Sequence, residues 1–167
     1  MRLARLNTGR GDFGDFIEIA HHQAATRQFD QLVSFAIEAT ELLGREVGEL
    51  SVAAFLGQVL PMVPTDTQGF QNLARREADA LQNAGSISAA VDRASAMVNI
   101  ALARVEADPT NGDAQTDLAD AYFRHGDLMV LAGNRNETER LYRDGLAIIE
   151  RLAEADPTNT SVQRDLG

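Results

Sequence analysis

Glu106-Ala107-Asp108-Pro109-Thr110-Asn111 returns as Glu154-Ala155-Asp156-Pro157-Thr158-Asn159, an offset of 48 residues. Gln115, Asp117 and Leu118 return at the same offset as Gln163, Asp165 and Leu166, and Ala132-Gly133 lands on Ala84-Gly85. An internal repeat restricts a chain more than composition does, because each unit must bury its apolar face against the next.

Each unit reads as two helices. From Asp113 to Ala132, Leu118, Ala121, Tyr122, Gly126, Met129 and Ala132 keep a three-and-four spacing, and Gly133-Asn134 supplies a turn. From about Asn136 to Ala155 the seam is Leu141, Tyr142, Gly145, Leu146, Ile148, Ile149 and Leu152. Asp156-Pro157 ends that helix, since the residue before a proline avoids the α region. Thr158 or Asn159 caps the next one. Earlier in the chain, helices are expected over Phe13 to Thr26, Phe29 to Leu43 and Leu50 to Leu60, with Pro61 and Pro64 as stops. Another opens at Asp66 or Thr67 and runs to Asn83, and one more opens at Ser86 and runs to about Ala107. No useful stretch alternates with period two. The expected class is all-α, with seven helices and the start of an eighth. The expected organisation is a lead-in over 1–12, a hairpin plus a short helix over 13–62, and repeats over 63–167.

Gly126 and Gly145 stand inside helices, where glycine costs about 1 kcal/mol relative to alanine. Close helix crossing at those points is the expected reason.

A helix pair with an aromatic in each helix, a glycine turn and Asp-Pro between units resembles the tetratricopeptide repeat. Tyr122 matches the bulky position of the first helix, Gly126 the small crossing position and Gly133 the turn. Tyr142 matches the aromatic of the second helix, and Gly145-Leu146 the small-then-large pair. Thr138 stands where alanine is usual and His125 where leucine is common. The unit is 48 residues long rather than about 34, a difference of about two turns per helix. Elongated units punctuated in this way are similar to arrays in large bacterial signalling proteins, beside NTPase or protease-like domains. The resemblance covers 63–167 well and 13–62 loosely.

The resemblance implies a TPR-like solenoid whose first helices line a concave face for a protein or peptide. Mapped onto this chain, that face takes Asn72, Arg75, Arg76, Asp79 and Gln82 from one helix. From the next it takes Asp120, Phe123, Arg124, Asp127 and Val130. Phe123 and Val130 would be the apolar anchors, although Phe123 also fits a core position. The family's carboxylate-binding mode needs lysine, and all fifteen basic residues here are arginine, so chaperone-tail recognition is not expected.

Twenty-five acidic residues against those fifteen give a net charge of -10, which repels phosphate backbones and argues against nucleic acid. Cysteine is absent, which removes disulfides, thiolate metal sites and a cysteine nucleophile. Neither a secretory leader nor a spanning run of about 18 apolar residues is read, so a cytoplasmic location is the default and no membrane is expected.

Gly9-Arg10-Gly11-Asp12-Phe13-Gly14 matches a dinucleotide fingerprint by letter only, with no strand before it and acidic residues where phosphate would sit. Arg10-Gly11-Asp12 is too short a motif to argue from. Glu18, His21 and His22 lack an opposing cluster for a metal, and His125 reads as a hydrogen-bonded core or edge histidine. The glycosylation patterns at Asn136 and Asn159 carry no weight without a leader. The expectation is an interaction module with no catalytic residues, cofactor or metal, read as part of a larger protein because its last repeat opens without its partner helix. The alternatives are a unit that self-associates through that repeat, or a small helical ligand-binding domain or enzyme.

Overall fold

The computed structural model describes residues 13–155. The lead-in over 1–12, most of the Gly9–Gly14 motif and the expected helix after Asp156-Pro157 lie outside the described residues. Within them every regular element is helical. The helices are α1 (Phe13–Ala25), α2 (Phe29–Glu46), α3 (Glu49–Val59), α4 (Phe70–Asn83), α5 (Ile87–Ala107), α6 (Gly112–Leu131) and α7 (Arg135–Ala155), with a 3-10 turn at Leu60–Met62 after α3. No helix is long and apolar enough to cross a membrane.

The chain divides into two compact units after Ser86. In the first, α1 to α4 enclose Leu32, Val52, Phe55, Leu56, Val59 and Leu73, none more than 1% exposed. Phe55 sits at the centre of a ring cluster, with Phe13, Phe16 and Phe35 between 6.2 and 6.4 Å away. Edge-on contacts of this kind add to plain burial. α4 packs against α3 in this unit, although its sequence groups it with the repeats. Leu73, Ala74 and Ala78 are buried there.

α4 starts later than the polar residues before it suggest. Asp66 and Thr67 are its expected caps, but 64–67 and 67–70 form successive turns, Thr67 N–H bonding to the Pro64 carbonyl and Phe70 N–H to that of Thr67. The helix begins only after Gly69, which has φ 87°. A Cβ there would lie 2.8 Å from Val33, so this position requires glycine for both conformation and room.

Three helix ends share one set of hydrogen bonds. After α4, the amides of Ala84, Gly85 and Ser86 reach the carbonyls of Ala80, Gln82 and Leu81. After α6, those of Ala132, Gly133 and Asn134 reach Leu128, Val130 and Met129, the same pattern 48 residues on. After α1, Thr26, Arg27 and Gln28 reach His22, Ala24 and Gln23. In each the middle residue is left-handed, with φ 78° at Gly85, 75° at Gly133 and 54° at Arg27. This closes the carbonyls that a helix end leaves open.

The second unit holds α5, α6 and α7, with α6 packed against both of the others. The Asp-Pro-Thr-Asn segment joins α5 to α6 by local bonds alone. Asp108 Oδ1 accepts from the Thr110 amide at 3.0 Å and its hydroxyl at 2.8 Å. Asn111 Oδ1 caps α6 by accepting from Ala114 N–H at 3.0 Å, and Gln115 Nε2 donates back to the Pro109 carbonyl at 2.6 Å. Gln115 is therefore part of the joint, which explains why it recurs with the punctuation as Gln163. Arg104 of α5 bonds Asp117 of α6 just beyond it.

Candidate functional site

The residues mapped to a partner-binding face fall in both units, five on α4 and five on α6. On α4, Asn72 and Arg75 are exposed, while Asp79 and Gln82 are half-buried one and two turns on. Arg75, Asp79 and Gln82 are all engaged by neighbours. Arg76 is turned off that row. It lines a shallow mixed-charge cleft with Glu41, Gly44, Arg45 and Glu49, at the junction of α2 and α3. Glu77, one residue further, is 5% exposed, and its Oε1 comes within 3.3 Å of a Cβ placed on Gly57 of α3. Nothing in the sequence pattern sets this buried carboxylate apart from its exposed neighbours on α4.

On α6, Asp127 and Val130 are exposed and Asp120 and Arg124 half-buried; the last two are engaged by neighbours. Phe123 sits where the sequence leaves its role open. Its ring covers Gly145 of α7, so that a Cβ there would lie 2.8 Å from the ring. Tyr142 of α7 does the same to Gly126 of α6, at 2.7 Å. The two rings stand 6.4 Å apart. Each helix thus lends an aromatic to the other's glycine, and the expected close crossing at Gly126 and Gly145 is present. Phe123 is chiefly a packing residue of its own hairpin, which leaves Val130, 55% exposed, as the apolar group on that row open to solvent.

Tyr142 is held in place from its far end. Its hydroxyl donates to Asp127 Oδ1 at 2.6 Å. That bond, with some burial and the charge of Asp127, pushes the phenol up to about 12. A hydrogen bond to the neutral form and a nearby anion both oppose ionisation. Asp127, mapped as a partner contact, therefore also fastens the hairpin.

His125 is 7% exposed and its Nε2 is buried without a hydrogen-bond partner, so the expected bond is not made at that atom. Burial holds the imidazole below its ordinary value, with Glu137 opposing and Arg140 adding to the effect. Thr138, in place of a usual alanine, is 8% exposed and satisfies its hydroxyl by donating to the Asn134 carbonyl at 2.9 Å.

His21 and His22 lie exposed on α1, and among the described residues no three His, Cys, Asp or Glu side chains gather as a metal would require. No protein-family model matches the chain, and no curated protein matches it.

Proposed function

We propose that this chain is a helical-repeat module that binds protein or peptide and performs no catalysis. In this reading its units are elongated, tetratricopeptide-like helix pairs stacked as a solenoid. The observation that carries the reading is the recurrence of one turn, bond for bond, at 84–86 and 132–134. A repeated joint at a fixed spacing is the construction rule of an array, and arrays offer extended surfaces rather than enclosed pockets. The exposed side chains of the mapped rows, Asn72, Arg75, Asp127 and Val130, are polar or small apolar groups of the kind such a surface presents. The setting proposed is a larger bacterial signalling or regulatory protein in the cytoplasm.

A photo-reactive side chain at Val130 or Asn72 tests the reading. Saturable cross-linking to one protein ligand is expected, and the same probe at exposed Ala54 of α3 serves as control. Val130→Asp should shorten the complex's lifetime, and Arg75→Glu should change its association rate and salt dependence. No saturable ligand at either position removes the reading. Cross-linking only to a second copy, rising with concentration, replaces it with self-association.

A further inference from the structure

We propose that the α6–α7 hairpin contains an acid-sensitive joint at His125, so that uptake of a proton there opens the hairpin. The imidazole is 7% exposed in the middle of α6, a helix packed on both α5 and α7. Its buried Nε2 has no hydrogen-bond partner. A neutral ring tolerates that position, whereas a cation there needs an acceptor and a counter-charge.

The counter-charge within reach is already in use. Glu137 of α7 is the acidic group that draws a proton toward His125, but Arg140 holds both of its oxygens, at 3.1 and 2.5 Å. Arg140 also bonds Asp144 at 3.0 Å. A protonated His125 must therefore leave its seat or pull Glu137 away from Arg140, and either change loosens the start of α7. On the other side, α5 carries Asp92, Arg93, Arg104 and Glu106. Asp92 and Glu106 are outward-facing or partly so, Arg93 is engaged, and Arg104 is bound to Asp117.

The direction of the effect is set by linkage. A histidine held below its ordinary value in the closed hairpin leaves closure at full strength above the open-state value of about 6.5. Closure weakens as pH falls from there toward the closed-state value, and below it the loss stops growing. His21 and His22, the other two histidines, are exposed on α1.

The test tracks the three imidazoles by NMR together with amide exchange in the full chain, corrected for intrinsic exchange rates. His125 should titrate below the other two. Protection in α6 and α7 should fall by up to about tenfold per pH unit below about pH 6.5, while Phe13–Asn83 keeps its protection. His125→Leu should abolish that fall, and His125→Gln takes its place if the leucine variant does not fold. Titration of His125 alongside His21 and His22 without loss of protection overturns the proposal. So does an unchanged fall in the folded variant.

Discussion

A methyl group added to Gly145 would lie 2.8 Å from the ring of Phe123, and one added to Gly126 would lie 2.7 Å from that of Tyr142. Helix propensity favours replacing either glycine by about 1 kcal/mol, but the interior has no space for the new atoms. Gly145→Leu should therefore destabilise by roughly 1–3 kcal/mol in urea unfolding, because overpacking outweighs propensity. Phe123→Leu in the same chain should recover part of that loss, since a smaller neighbour relieves the clash. The Tyr142–Asp127 bond gives a second measurement at this scale. In an alkaline absorbance titration of the Tyr122→Phe variant, the remaining phenol should ionise near pH 12, and Asp127→Asn should lower that midpoint. The raised value gives the sign: this bond's stabilisation is complete below the ordinary tyrosine value of about 10 and fades as pH rises toward about 12.

At the scale of helices and turns, Arg27 is the informative exception. It occupies the left-handed position that Gly85 and Gly133 fill in the equivalent turns, with φ 54°. A side chain there costs roughly 1–2 kcal/mol in crowding, partly offset because glycine adds freedom to the unfolded chain. Arg27→Gly should raise the melting temperature, with a gain of up to about 1 kcal/mol. An unchanged or lower melting temperature would mean that Arg27 makes compensating contacts. The same comparison shows what the sequence reveals. The helices after Gly85 and Gly133 are legible because the breaker and the period agree. The turn at Arg27 carries no such mark, and its identity with the others appears only in the bonds. The start of α4 is misread for the converse reason. Asp66 and Thr67 have capping chemistry, but the contact between Gly69 and Val33 comes from a helix distant in sequence. Phe123 is ambiguous in the same way, since spacing alone cannot tell a ring lying on a neighbouring glycine from one facing solvent.

For the whole molecule, the division after Ser86 matters more than the count of helices. α4 buries its apolar face with α3, so the first core is complete within its own unit. Interactions in separate cores with no shared partners contribute independently. Gly145→Leu should accordingly lower amide protection across Ile87–Ala155 and leave Phe13–Asn83 at parent values. A matching loss in both would show that the chain unfolds as one block. Nothing in the repeat pattern announces this division. The sequence groups α4 with the helices after it, because its turn at Gly85 belongs to the repeat while its buried side chains belong to the first unit.

The joint between α5 and α6 completes its bonds to Asp108, Pro109, Thr110, Asn111 and Gln115 within residues 108–115. It asks nothing of the helix pair on either side except that one ends and another begins. Its coding sequence is therefore a natural crossover point. Misaligned exchange between the copies at 108 and 156 would add or delete one whole 48-residue unit and regenerate an intact joint at the seam. A chain built this way can change length in full steps over generations, and no step requires a new turn to be invented.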